Sequence, residues 1–313
     1  MTGSSLNGSG NGMARRRNVL FTFLAYQAER FPLAVLVPTT LSVVLSSYVI
    51  ASTLTVVTQA PLKILLGVVA ALAYLFHMRA VDEGRDFDHD TRHHRVRPIQ
   101  RGLVSRKELD AIDRVGLALF VGIALGYGLR TAVLGSVALL YSFVAGREFF
   151  LGERIRRRFF AYNAVNLIQA ILLQAVIYSI FTGVWYRFPT LWLHLAFVLS
   201  NSILIEFVRK IKIQAEESSG HDTYSWHLGF RNSLWVYGAL IAVSYSLFLS
   251  IMNDLGRMRY LAMIISAIPV VLLLAAIVRH GAQQDKSSEE ALQLSTLALY
   301  VGLHLVIVLS LKV

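Results

Sequence analysis

The sequence contains no cysteine. Disulfides, thiolate metal ligands and cysteine nucleophiles are therefore excluded. Charge is also scarce. Only 16% of the 313 residues are Asp, Glu, Lys or Arg, against 55% that are hydrophobic. At a mean hydropathy of +0.56, a soluble fold would lack the polar groups to cover its surface, so a polytopic membrane protein is the class that fits. No stretch reads as a soluble domain, and no cleavable signal peptide is evident. Residues 1–14, which open MTGSSLNGSGNG, have nothing to bury and read as a disordered tail. Residues 15–313 read as one transmembrane domain.

The charge that is present is unbalanced, with a net of +11. The bases lie in short segments between apolar runs, and the aromatics lie mostly inside those runs. No stacking platform for nucleic acid remains, so membrane orientation accounts for the excess better.

A helix needs about 20 apolar residues to cross the hydrocarbon. Nine runs qualify: 31–51, 60–78, 110–129, 131–146, 159–183, 191–208, 232–252, 260–278 and 291–311. The third and fourth are short and joined by a tight turn at Arg130. Every second loop is basic. Arg15, Arg16 and Arg17 precede the first run, REFFLGERIRRR follows the fourth, RKIK follows the sixth and RHGAQQDK follows the eighth. The alternate loops are short and poor in charge. This pattern predicts an N-terminus in the cytoplasm, a C-terminus outside, and an integral protein of the plasma (inner) membrane. It also puts the two long charged loops, 79–109 and 209–231, on one face.

The first of these loops carries Asp82, Asp86 and Asp90, spaced four apart. On a helix they form one stripe that drifts by about 40° per step. Carboxylates so placed repel one another, and a bridging divalent cation removes the penalty. Oxygen-only ligation suits magnesium, which keeps some water and takes further ligands from phosphates. Glu83 and Asp88 point elsewhere on the same helix. The bases Arg92, Arg95, Arg97 and Arg101 follow at once, and guanidinium forks fit phosphate oxygens. Acids for a metal beside bases for phosphate predict a diphosphate site. The bland alternative is a solvated loop of mixed charge. His89 and His93, also four apart, read as surface histidines before they read as zinc ligands.

These residues resemble the first motif of the UbiA superfamily of intramembrane prenyltransferases, NDxxDxxxD followed by an RP dipeptide. The matching positions are Asp82, Glu83, Asp86 and Asp90, then RPIQRG from Arg97 to Gly102. Asp82 stands for the usual Asn and Glu83 for the usual Asp, and both keep an oxygen. VPTT at Pro38 is similar to the family's proline in its first helix. The family's second motif is DxxxD, then GxxT and a further Gly. Gly220, Thr223 and Gly229 match its latter part. Counting back, the acids fall on Lys212 and Glu216, so only Glu216 keeps a ligand. Glu206 and Asp222 are the possible substitutes. Lys212 then either holds a phosphate oxygen or pairs with Glu216 along a helix.

The resemblance implies an all-α fold of nine transmembrane helices around a central cavity, with cytoplasmic helical caps that carry the acids. It implies magnesium, a polyprenyl diphosphate, and an acceptor that the residues do not identify. The catalytic set so implied is Asp82, Asp86, Asp90 and Glu216. Within the bilayer, Asn163 and Asn166 share a face of the fifth run, which also carries Gln169 and Gln174. They either hold substrate or bond helix to helix. Arg79 lies three residues before Asp82, to bind diphosphate or to pair with it. Tyr74 either lines the cavity and steadies a cation through its ring or is an interfacial aromatic. Two further readings stay open beside prenyl transfer: a membrane terpene cyclase, and a transporter without enzymatic activity. A diverged binding protein without activity is a third.

Overall fold

In the computed structural model the described residues are 19–213, 217, 222–258 and 260–312. Among them the secondary structure is wholly helical. The order is α1 (Val19–Arg30), α2 (Leu33–Leu54), α3 (Ala60–Arg85), α4 (Phe87–His93), α5 (Arg106–Gly126), α6 (Leu129–Gly146) and α7 (Glu153–Arg156). There follow α8 (Phe159–Phe181), α9 (Pro189–Arg209), α10 (Tyr224–Leu228), α11 (Phe230–Asp254), α12 (Tyr260–Gln283) and α13 (Lys286–Lys312). The disordered-tail expectation for 1–14 lies outside the described residues.

Among the described residues eight helices are long and apolar enough to cross a membrane: α2, α3, α6, α8, α9, α11, α12 and α13. The ninth expected span is α5, which differs in a physical way. A Ser105–Glu108 capping box starts it early, so it opens on the polar turns RKELDAIDR and its apolar part is short. It packs along α3 and leads into α6. Proline sets other helix starts. Pro61 lies in the first turn of α3, and Pro189 opens α9, where a missing N–H costs nothing. Inside α2, Pro38 is followed by Thr39, whose hydroxyl donates back to the carbonyls of Val35 (2.8 Å) and Leu36 (3.0 Å). Pro269 of α12 packs against Gly302 of α13, where a side chain would already touch the proline ring.

Two apolar clusters share α8. One joins it to α9, α11, α12 and α13; the other joins it to α2, α3, α5 and α6. Every residue of α8 from Leu173 to Phe181 is buried, as expected of a helix apolar on all sides. With 26 residues, α3 runs for about 39 Å, which exceeds a hydrocarbon core of about 30 Å. Its acidic last turns are therefore not needed for the crossing, and they lie near Tyr162 at the start of α8 and Glu206 at the end of α9.

Candidate active site

The first motif does not continue as a straight stripe. The helix ends at Arg85, Asp86 sits at the junction with φ −92° and ψ 5°, and α4 restarts at Phe87. This bend divides the acids. Asp82 and Asp86 stay together because Arg85 clamps both. Its Nη2 lies 2.8 Å from Asp82 Oδ1, and its Nε donates to Asp86 Oδ1 at 3.1 Å. Arg85 is nearly enclosed while both acids keep about a third of their surface. The guanidinium also lies over the Tyr162 ring of α8, 5.6 Å from its centroid.

Across from these acids stands the end of α9. Glu206 is within electrostatic reach of Asp82 and of Tyr224. Its Oε1 lies 2.9 Å from Lys210 Nζ, and that ammonium also donates to Asn163 Oδ1 at 2.6 Å. The Asn163 amide is held in turn by donating to the Phe159 carbonyl at 2.8 Å. Lys210 lies 5.3 Å from the Phe159 ring centroid. Tyr224 stacks on Phe207 at 3.9 Å, and its backbone N–H donates to the Lys210 carbonyl at 2.9 Å. Burial and the Glu206 carboxylate push its phenol up to about 12. Asp82 and Asp86, held by Arg85 on α3, thus lie within electrostatic reach of Glu206 on α9, which Lys210 joins to Asn163 of α8. Arg209 Nη1 also donates to Glu206 Oε2 at 3.3 Å, so three acids face three bases there. The acids' donors are all oxygen, the kind a hard divalent cation takes.

Asp90 belongs to a second group. It is buried, and its carboxylate pairs with Arg97 in the turn after α4. His89, Asp90 and His94 each bring one ligand atom within 4.8 Å of the others. Burial, helped by Arg97, lowers the His94 pKa. His94 also senses Asp222, so the two charged loops face each other here.

The remaining expected residues fall elsewhere. Glu83 is the most enclosed acid of the motif. It accepts from Arg30 Nε at 2.8 Å and from Arg79 Nη2 at 2.5 Å, which turns it toward α1. Arg79 is thereby drawn toward Glu83, on the side of α3 that packs against α1. Tyr74 has a core role: its hydroxyl donates to the Ala138 carbonyl at 3.0 Å and its ring packs on Phe120. Arg92 is exposed and donates to the Asp88 carbonyl within α4. Asn166 is half-buried. Gln174 donates to Ser47 Oγ at 2.8 Å, bonding α8 to α2. Lys212 pairs with Glu289 at the start of α13. Glu216 and Gly220 lie outside the described residues.

The second motif's latter part has a structural role. Thr223 caps α10 by accepting from Trp226 N–H at 3.2 Å. Gly229, at φ +82°, turns the chain from α10 into α11 in a region that disfavours a side chain. Glu217 accepts from Thr223 Oγ1 at 2.6 Å and Ser225 Oγ at 2.5 Å, closing the loop. Arg85, Tyr162 and Lys210 are absent from the expected set. A signal for two of them was present: Arg85 sits between the motif's acids, and Lys210 follows Glu206 by one helical turn.

Comparison with known proteins places these residues in context. The model of the UbiA prenyltransferase family matches residues 35–299. No curated protein matches the chain. Among solved structures, the apo form of a UbiA homolog from Aeropyrum pernix K1 superposes with a TM-score of 0.65 at 18% identity, over 87% of this chain and 98% of that one. A digeranylgeranylglyceryl phosphate synthase superposes at 0.59 and 14% identity, over 94% of this chain and 99% of its own. A UbiA homolog from Archaeoglobus fulgidus bound to DMAPP and Mg2+ gives 0.50 at 14% identity, over 88% and 98%. Likeness at these identities concerns the fold.

Proposed function

Because this chain belongs to the UbiA prenyltransferase family, we propose that it ionises a prenyl diphosphate with magnesium at the acids where α3 meets α9, and transfers the prenyl group to an acceptor. The observation that carries this reading is the meeting of Asp82, Asp86 and Glu206 with Lys210 and Asn163 at one end of the bundle.

Asp82, Asp86 and Glu206 are the residues that would hold the ion. A bound magnesium would neutralise charge on the leaving diphosphate. Glu206 takes the place of the acid that the second motif lacks at Lys212. Glu216 and Asp222 remain candidates for a further ligand, and Asp90 joins the set if Arg97 releases it. Lys210 and Arg85 are poised to receive diphosphate oxygens, and Arg97 and Arg92 stand on the approach from α4. The Asn163 amide orients Lys210. In the expected step the allylic C–O bond breaks, its electron pair leaves with the diphosphate, and the acceptor attacks the allylic cation and loses a proton. The surrounding apolar helices keep water from that cation. The basic loops favour a cytoplasmic position for this end of the bundle.

The test is diphosphate release by the reconstituted protein from geranylgeranyl diphosphate with magnesium. Asp86→Asn is expected to slow release by about 100-fold, the scale of a lost electrostatic group at the reacting charge. Chelation should abolish it. Release at the wild-type rate from a folded Asp86→Asn protein overturns the reading. Product analysis without acceptor separates transfer from cyclisation, because a cyclic hydrocarbon or alcohol would mark a cyclase.

A further inference from the structure

At the end of α3 remote from the acids, two cations stand where the charge pattern of the chain calls for few. Lys63 and Asp82 are 19 positions apart on one helix, about 28 Å at the helical rise. Lys63 therefore lies near the opposite membrane interface. Arg130, from the first turn of α6, joins it. Both line one half-open cavity of about 460 Å³, together with Tyr127, Thr131, Ser179 and Phe181.

Among the described residues neither cation meets a carboxylate. Lys63 reaches the Phe181 carbonyl at 3.5 Å and lies 5.9 Å from the Tyr127 ring centroid. Arg130 donates to the Gly183 carbonyl at 3.0 Å. Helix capping accounts for these contacts, since α8 ends there and its carbonyl end favours cations. Capping occupies one donor of each side chain. A guanidinium offers five and an ammonium three, so both keep donors that face the cavity.

Directly beside it is a second cavity of about 440 Å³, and Tyr127 lines both. This one is an apolar groove between α3 and α5, bordered by Leu62, Leu66, Leu119 and Ile123. Its floor includes Gly122 and Gly126, where a side chain would meet nothing within 4 Å. Both volumes fall in the range of about 300–1,000 Å³ usual for ligand sites. A cationic hollow at interface height that opens into an apolar groove along the helices has the polarity sequence of a lipid.

We infer that this is a binding site for an anionic phospholipid of the leaflet opposite the acids. Its phosphate sits between Lys63 and Arg130, and one acyl chain lies in the α3–α5 groove. The buried hydroxyls of Thr131 and Ser179 bond each other at 2.8 Å and close the hollow behind the two cations. Charge complementarity selects an anionic lipid over a zwitterionic one, and the groove selects a lipid over a free anion. The site is separate from the reaction proposed above and stands or falls independently of it.

Native mass spectrometry of the detergent-solubilised protein tests this, with phosphatidylglycerol and phosphatidylcholine of identical chains supplied in equal amounts. Wild type is expected to retain phosphatidylglycerol preferentially. The Lys63→Gln/Arg130→Gln variant should weaken that retention by about thirtyfold, the combined effect of two interfacial cations, and leave phosphatidylcholine unchanged. Gly122→Leu should displace both lipids by filling the groove. A single cooperative melting transition in each variant certifies the fold, the double variant melting slightly lower because it loses two caps at the end of α8. Equal retention of the two lipids by wild type, an unaltered preference in the double variant, or full retention in Gly122→Leu overturns the inference. So does displacement of the lipid by millimolar inorganic phosphate, which would mark a free-anion site.

Discussion

Glu83 and Asp86 stand three residues apart in one motif, yet they do different work. Glu83 is buried and answers two guanidinium groups, Arg30 from α1 and Arg79 from its own helix. Removing its charge would strand both. We predict that Glu83→Gln destabilises the protein by about 3 kcal/mol, at the low end for breaking a buried ion pair because Arg30 stays partly wet. The measurement is the midpoint of denaturant or thermal unfolding in detergent. The protein that remains folded should still release diphosphate. Asp86→Asn should do the reverse, sparing stability and slowing diphosphate release, because Asp86 is part-exposed beside Arg85 rather than buried between two guanidinium groups. If Glu83→Gln leaves unfolding unchanged but stops diphosphate release, Glu83 is a ligand and the ion-pair assignment is wrong. Spacing alone does not separate these roles. Both carboxylates match motif positions, and only the packing of α1 against α3 shows which acid is already committed.

The placement of the acids depends on how closely the helices approach. Gly146 ends α6 where a methyl group would collide with a Val81 methyl, and Val81 immediately precedes Asp82. A β-branched valine on a helix has almost one rotamer and cannot swing away. Gly146→Ala should therefore cost about 1–3 kcal/mol through overpacking, less a small gain in helix propensity. Trimming the other side, in the Gly146→Ala/Val81→Ala double variant, should recover much of the loss. Thermal unfolding of the two variants beside wild type decides it; a double variant no more stable than Gly146→Ala refutes the contact. At this scale the sequence is readable where a local device acts. The Ser105–Glu108 box, Pro189 and the basic loops mark helix ends by chemistry that neighbours cannot override. The bend at Asp86 is a different matter. A spacing of four matches a straight helix and a bent one equally, so Asp90 leaves for Arg97 without any sign in the pattern. Tyr74 illustrates the same limit, because its partner, the Ala138 carbonyl, is 64 residues away.

Across the whole molecule, the buried polar groups show how the halves are joined. Ser46 of α2 bonds His194 of α9 at 3.0 Å and His304 of α13 at 2.8 Å, and Tyr178 of α8 bonds His194 at 2.7 Å. Four helices thus share one network in the apolar interior, where an unmet polar group is expensive. Its members are scattered from 46 to 304, and no motif announces them. The same long-range packing brings Asp82 beside Glu206, which the sequence held only as a substitute for a lost motif acid. If both serve one diphosphate site, their losses must not multiply. Asp82→Asn and Glu206→Gln are each predicted to slow diphosphate release by about 100-fold, and the pair together by little more than either, as for groups that act as one unit. The magnesium concentration for half-maximal rate should rise in both single variants. Losses that multiply to about 10,000-fold would assign the two carboxylates to separate tasks, and a Glu206→Gln enzyme with wild-type rate and magnesium demand would remove α9 from the metal site altogether.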